Sequence, residues 1–285
     1  MVKLLRELAP AKINLFLRVT GRRSDGYHEL DSVFVPVSIY DRLDVGLRTG
    51  HSPSVQLWCD SDAVPADERN LAFMAAREFL TEFGILAEVL INLHKGIPAG
   101  AGLGGGSSDA AAVLRMMAAL CGVGRSAPLA RVALRLGADV PFFLNPSPSR
   151  VRGIGERIEA LGRIEKPFLL IAVPPVEVPT AAVFRDLRPE HWSGPAPDSD
   201  IVAIIQGRIA REHLVNDLEQ VASAKWPEIG ELKKLLETAG ARAAGMTGSG
   251  GGVFGIFDSG DNAVRACQEV ARRASGVRAF TASVL

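Results

Sequence analysis

Between a run of alternating residues and a run of helical periodicity, the chain reads Pro98-Ala99-Gly100-Ala101-Gly102-Leu103-Gly104-Gly105-Gly106-Ser107-Ser108. Five of the seven residues from Gly100 to Gly106 are glycine. Glycine takes positive φ without a Cβ penalty and lets the backbone approach a ligand closely. Val89 to His94 alternate ahead of the loop and predict a strand. Ala110–Leu120 behind it predict a helix, with Ser107 and Ser108 as its caps. Consecutive N–H groups and a helix amino terminus then make an anion site that needs no formal charge. A linker or tight packing turn is the alternative, but so many glycines make a poor core and the serines tie the loop to a helix.

Such a site suits the rest of the composition. Lysine plus arginine and aspartate plus glutamate number 32 each, for a net charge of zero. This argues against nucleic acid as the main partner, since phosphate-backbone binding shows as a basic excess. A small phosphorylated ligand needs only a local positive pocket. With 285 residues, 47% of them apolar, the chain is long enough for two lobes with a sizeable core. Cys59, Cys121 and Cys267 form no CxxC pair, so they read as reduced, buried side chains with neither a disulfide framework nor a zinc site. Lys3 and Arg6 hint at a signal peptide, but Glu7, Pro10 and Lys12 interrupt any apolar segment. No run approaches the roughly 18 apolar residues of a membrane span. The expectation is a soluble, cytoplasmic protein without a membrane partner.

Working outward, Ile13, Leu15, Leu17 and Val19 line one face of a strand, and Lys12, Asn14, Phe16 and Arg18 the other. Ser24-Asp25-Gly26 is a turn, and Val33, Val35 and Val37 mark a second strand. Shorter strands are expected at Leu43–Leu47 and Val55–Cys59, and an amphipathic helix over 70–83. A helix over Leu129–Leu136 ends at Gly137, and strands follow at Glu156–Leu161 and Phe168–Val173. A helix opens at Thr180, and Pro189–Ser199 reads as a long exposed loop. Helix and strand alternate from Pro227 to the end. Antiparallel strands before the first long helix predict an α+β fold with two lobes. The lobes span 1–155 and 156–285, with the glycine-rich phosphate loop between them.

Gly100, Gly102 and Gly105 satisfy GxGxxG, but that pattern alone is weak. A dinucleotide fold places its loop in an early βαβ unit, whereas this loop comes a third of the way along. The Walker loop and the protein-kinase sequences HRD and DFG are absent. The loop calls for a different ATP-binding solution.

PAGAGLGGGSSDAA at 98–111 resembles the phosphate loop of the galactokinase, homoserine kinase, mevalonate kinase and phosphomevalonate kinase superfamily. Pro10-Ala11-Lys12-Ile13-Asn14-Leu15 and Met246-Thr247-Gly248-Ser249-Gly250-Gly251-Gly252 fall where that superfamily carries its other two motifs. Within it the chain is most similar to the 4-diphosphocytidyl-2-C-methyl-D-erythritol kinase family of the non-mevalonate isoprenoid pathway. The marks are AKINLFL at 11–17, DGYHEL at 25–30, GADVPFF at 137–143, GIGERIEAL at 153–161 and Asn216-Asp217-Leu218-Glu219. Asn145-Pro146-Ser147-Pro148-Ser149-Arg150 departs from the short glycine-containing turn of that pattern.

The resemblance implies transfer of the ATP γ-phosphoryl to the 2-hydroxyl of the methylerythritol moiety, with Lys12 and Asp139 as the catalytic pair. Read from the residues alone, Lys12 is also compatible with a solvated strand-edge charge and Asp139 with a turn or capping residue. A close pair attracts by about 4 kcal/mol at about 4 Å and an effective dielectric near 20, which keeps the carboxylate ionised. Phosphoryl transfer has a loose transition state, so Asp139 orients the hydroxyl and takes its proton late while Lys12 stabilises charge. Magnesium is expected with ATP, and Ser107 or Ser108 either meets it or caps the helix. No separate metal-ligand set is read. Tyr27 and His28 suit stacking on and hydrogen bonding to a pyrimidine. By resemblance they hold the cytosine of a cytidine diphosphate substrate, with Phe184 opposing; Asn14 and Thr180 complete the substrate set. Phe184 is equally compatible with core packing. Gly248, Ser249 and Gly250 form a third glycine loop able to approach the site. Monomer and homodimer both remain open.

Overall fold

The computed structural model describes residues 3–124 and 127–285. In chain order these form β1 (Lys3–Arg22), β2 (His28–Thr49), β3 (Ser54–Cys59), α1 (Leu71–Phe83), β4 (Ala87–His94), α2 (Gly105–Cys121), α3 (Ala127–Leu136) and α4 (Val140–Phe143). Then come β5 (Ser149–Gly153), β6 (Arg157–Ala160), β7 (Phe168–Val173), α5 (Thr180–Asp186), α6 (Asp198–Ile205), α7 (Glu219–Lys225) and α8 (Pro227–Thr238). The chain closes with β8 (Ala243–Met246), β9 (Val253–Phe257), α9 (Gly260–Arg273) and β10 (Arg278–Ser283). Mixed helices and sheets make the α+β fold expected from the sequence.

Two compact units interleave along the chain. One comprises 1–11, 39–99 and 104–146; the other comprises 12–38, 100–103 and 147–285. The sequence reading draws a single cut near residue 155, which is a linear description. The long strands β1 and β2 give residues to both units, and so does the glycine loop, because a strand of 20 or 22 residues outruns one core.

In the first unit the end of β2 pairs antiparallel with β4, which pairs parallel with β3. Helices α1 and α2 pack together there, and Asn70 caps α1 by accepting the N–H of Ala72. In the second unit the start of β2 pairs antiparallel with β5, which pairs with β6. A four-stranded antiparallel sheet of order β10-β7-β9-β8 backs one core, with Leu170, Val253, Phe257, Leu232 and Val270 buried in it.

Several local expectations change in the fold. Cys59, Cys121 and Cys267 are only partly buried, since Cys59 and Cys121 end β3 and α2 and Cys267 borders the buried face of α9. Helix α2 begins at Gly105, with Gly104 as its left-handed N-cap at φ 71°, so Ser107 and Ser108 lie inside its first turns and cap nothing. Glycine at the cap lets the helix start before the serines. Residues 189–199 are not a simple exposed loop. They hold a 3-10 turn at Pro189–His191 and the start of α6, and Ala196 is buried. The unusual segment 145–150 leads into β5, a strand hidden from the sequence pattern by Pro146 and Pro148.

Candidate active site

β1 is buried on both faces from Ala9 to Leu17, and this decides the setting of Lys12. Lys12 is 3% exposed and Asn14 1%, so Lys12 is not a solvated edge charge. Their side chains are two residues apart and share a face. The Lys12 ammonium donates to Asn14 Oδ1 at 2.5 Å and lies 4.4 Å from the centre of the Phe34 ring. An amide oxygen and a π-face both offset the desolvation of a buried cation. Asn14 Nδ2 donates to Ser32 Oγ at 2.9 Å, and Ser32 Oγ donates to the Phe16 carbonyl. Asn14 N donates to Thr247 Oγ1 at 2.9 Å. Every polar atom named here has a partner, so Lys12 is held in place and preorganised.

The same unit brings the third glycine loop onto residues 100–103 of the first. Lys12 N donates to the Leu103 carbonyl at 2.9 Å, and Gly252 N to the Ala101 carbonyl at 3.1 Å. A Cβ on Gly102, at φ 74°, would lie 2.2 Å from the Thr247 carbonyl oxygen. On Gly250 it would lie 2.3 Å from Gly102 N. Gly248 is left-handed at φ 60°. Backbone meets backbone here, and only glycine fits. Asn216 Nδ2 donates to the carbonyls of both Met246 and Gly248 at 2.9 Å, fixing the loop from behind. Thr180 Oγ1 and Ser249 Oγ share a 2.7 Å hydrogen bond, which joins the start of α5 to that loop. Gly100, also left-handed at φ 68°, has open space where a Cβ would stand.

In the same unit, His28 stands 5.4 Å from Phe184 between ring centroids, and 6.1 Å from Trp192 edge-on at 82°. Burial and the nearby Arg22 charge hold the His28 imidazole below its ordinary pKa. A neutral ring has one donor and one acceptor nitrogen. Tyr27 is 61% exposed, on a turn closed by Arg23 N donating to the Tyr27 carbonyl. Thus Lys12, Asn14, the 100–103 segment, the third glycine loop and Thr180 form one connected set, and His28 and Phe184 a ring pair. Tyr27 stays at the surface.

In the first unit, Asp41 Oδ1 accepts the N–H groups of Gly96 and Ile97 at 2.7 and 2.8 Å, fixing the chain between β4 and Pro98-Ala99. Lys95 bridges Asp41 and Asp109 at 2.5 and 2.8 Å, and so ties β2 and β4 to the first turns of α2. Burial pushes the Asp109 carboxyl up to about 8, against the opposing pull of Lys95 and with the help of the Asp41 charge. The first N–H groups of α2, from Gly105, Gly106 and Ser107, have no carbonyl partners within the helix. Ser108 Oγ is buried without a hydrogen-bond partner, whereas Ser107 is partly exposed. Asp139 takes the N-cap position of α4 but makes no capping bond to it. Arg115 anchors that helix by donating to the Phe143 carbonyl and to Glu7.

Sequence reasoning missed Ser32, Thr247, Asn216 and the Asp41–Lys95–Asp109 cluster as supports of the site. Thr247 and Asn216 stand inside motifs already singled out, and that position was the available signal. Among the described residues no three His, Cys, Asp or Glu side chains gather as a metal set, and no helix is long and apolar enough to cross a membrane.

Two glycine loops meeting backbone to backbone beside a buried lysine are features of an ATP-dependent small-molecule kinase. Residues 70–146 match the GHMP kinases N terminal domain and residues 201–276 the GHMP kinases C terminal region. The fold of a homoserine kinase from Cytophaga hutchinsonii superposes with a TM-score of 0.75 over 99% of this chain and 94% of that one, at 19% identity. A crystal structure of 4-(cytidine 5'-diphospho)-2C-methyl-D-erythritol kinase superposes with a TM-score of 0.85, at 38% identity over 98% of this chain and 99% of that one. The 4-diphosphocytidyl-2-C-methyl-D-erythritol kinase of Syntrophotalea carbinolica is 42% identical over 276 residues, 96% of each chain. The chain belongs to the 4-diphosphocytidyl-2-C-methyl-D-erythritol kinase family.

Proposed function

We propose that the chain transfers the γ-phosphoryl group of ATP to the 2-hydroxyl of 4-diphosphocytidyl-2-C-methyl-D-erythritol, giving the 2-phosphate and ADP. The observation that carries this reading is the docking of 247–252 on 100–103, with Lys12 hydrogen-bonded to the same segment. The segment Pro98 to Ser108 binds the ATP phosphates through the backbone N–H groups of Ala99 to Ser107, and glycine–glycine packing holds its 101–103 part in place. Lys12 stabilises the charge on the hydroxyl oxygen and the transferring group. Its fixed position is what electrostatic preorganisation requires. Asp139 orients the hydroxyl and accepts its proton late in a loose transition state. Asn14 positions Lys12, and Thr180 with Ser249 borders the substrate.

The buried, unpartnered Ser108 hydroxyl fits a role in holding Mg²⁺ with the nucleotide, with Ser107 beside it. When bound, Mg²⁺ supplies neutralisation of the phosphate oxygens. His28 and Phe184 hold the cytosine, and Tyr27 covers it from its exposed turn. The protein acts in the cytoplasm, as a monomer or homodimer, on a small molecule and not on nucleic acid.

The test is ADP release from Mg-ATP with 4-diphosphocytidyl-methylerythritol, mevalonate, homoserine and galactose offered in parallel. Turnover with the cytidyl substrate alone is expected. Turnover only with another alcohol would keep the kinase chemistry and discard the cytosine reading of Tyr27, His28 and Phe184.

A further inference from the structure

The loop between α5 and α6 carries an indole that the phosphate chemistry does not use. Trp192 presents its ring edge-on to His28 at 6.1 Å, while Phe184 lies against the same imidazole at 5.4 Å. Part of Trp192 packs on the core of the second unit, which alone would make it a structural residue. Its Nε1–H argues otherwise, being buried with no hydrogen-bond partner. A buried donor without an acceptor carries its full desolvation cost, and native folds rarely leave one so. An acceptor brought by a ligand would remove that cost on binding.

The backbone that follows Trp192 is anchored at three residues. Ser193 donates from its N and its Oγ to the Asp217 carboxylate at 2.9 and 2.5 Å, and Asp217 also accepts Val19 N at 2.7 Å. Gly194 N donates to the Val19 carbonyl at 3.2 Å. Ala196 N donates to Asp31 at 2.9 Å, and Arg150 spans Asp31 and the Ala196 carbonyl. Three anchors within four residues of Trp192 hold the backbone, so bringing the buried N–H to a ligand acceptor takes a turn of the side chain and not a rearranged loop.

We propose that Trp192 is a specificity-determining residue of the base site, closing it beside His28 and Phe184 and donating its indole N–H to an acceptor of a bound cytidine diphosphate group. The inference rests on the reading of His28 and Phe184 as the cytosine site. Its two consequences separate well. The ring supplies apolar surface, which phenylalanine keeps, and the N–H supplies a hydrogen bond, which phenylalanine removes.

The experiment is equilibrium binding of CDP to the full chain, read by calorimetry and by tryptophan emission, with Mg-ADP as the control ligand. Trp192→Phe should weaken CDP by roughly 5- to 30-fold, the range expected for a lost buried hydrogen bond, and leave Mg-ADP unchanged. Trp192→Ala should weaken CDP further. CDP should alter the emission of the native chain and of Trp58→Phe, and the change should disappear in Trp192→Phe. His28→Ala and Phe184→Ala test the parent reading. If both weaken CDP while Trp192→Phe binds it normally, the indole role is overturned and the base site stands. Should Trp192→Phe alone lose CDP, the indole contact stands and the assignment of His28 and Phe184 falls.

Discussion

Gly250 meets Gly102 backbone to backbone, so closely that a Cβ on Gly250 would stand 2.3 Å from Gly102 N and 2.5 Å from the Ala101 carbonyl carbon. Neither neighbour is the end of a flexible side chain, so one of the two loops has to move. Gly250→Ala should cost about 1–3 kcal/mol of stability, the usual range for overpacking. It should also raise KM for ATP at least tenfold, because the displaced segment belongs to the proposed phosphate loop. Urea unfolding and steady-state kinetics check both. An unchanged KM for ATP would detach the third glycine loop from nucleotide binding.

Lys12 and Asp139 stand in different compact units, and each is assigned to the reaction on its own grounds. Lys12→Met keeps the volume of the buried stem and leaves Asn14 bonded to Ser32 and Thr247. The fold should persist while kcat falls by about 10²-fold or more, the scale of a lost electrostatic contact. Asp139→Ala should lower kcat by roughly 10²–10⁴-fold, the scale of general-base assistance. Near-full turnover in either variant, measured as ADP release, removes that residue from the chemistry.

Lys95 is 7% exposed between two carboxylates that are nearly inaccessible. Lys95→Met should therefore destabilise the chain by about 3–5 kcal/mol, since it leaves the buried Asp41 carboxylate without its cation. Adding Asp41→Asn, which keeps an acceptor for Gly96 and Ile97, should restore part of that loss. A double-mutant cycle by chemical denaturation measures the coupling, and simple additivity would show that the ion pair is not the support.

His28 bears on pH dependence. Its folded pKa lies below the ordinary 6.5, through burial and then the Arg22 charge. Below pH 6.5 the unfolded chain takes this proton first, so stability falls as pH drops from 6.5 toward the lowered value. His28→Asn should flatten that part of the stability profile. Over the same range, KM for the cytidyl substrate should rise as the neutral ring is lost, with KM for ATP changing less. Parallel rises in both constants would count against a role in the cytosine site.

Much of this was legible in one dimension. Glycine density around Gly102 and alternation around Ile13 are local signals, and the fold honours both. Other features were hidden by distance along the chain. Asn14 meets Thr247 across 233 residues, and Asp31 meets Arg150 across 119. Proline, glycine and serine at 189–199 read as an exposed loop, because nothing local reveals that Ala196 and Ser193 would find Asp31 and Asp217. The serines after Gly106 read as caps because serine favours that position, yet Gly104 at positive φ starts the helix earlier.

The sequence by itself determined the glycine-rich segment 100–106, the main strands and helices from β1 to α3, and the resemblance that suggested Lys12 and Asp139. These rest on local backbone preference and on motif order. Tertiary structure alone decided that Lys12 is buried against Asn14 and Phe34, that one glycine loop closes on another, and that Trp192 stands beside His28. Burial and close backbone approach depend on segments far apart in the chain, and no local pattern encodes which of them will meet.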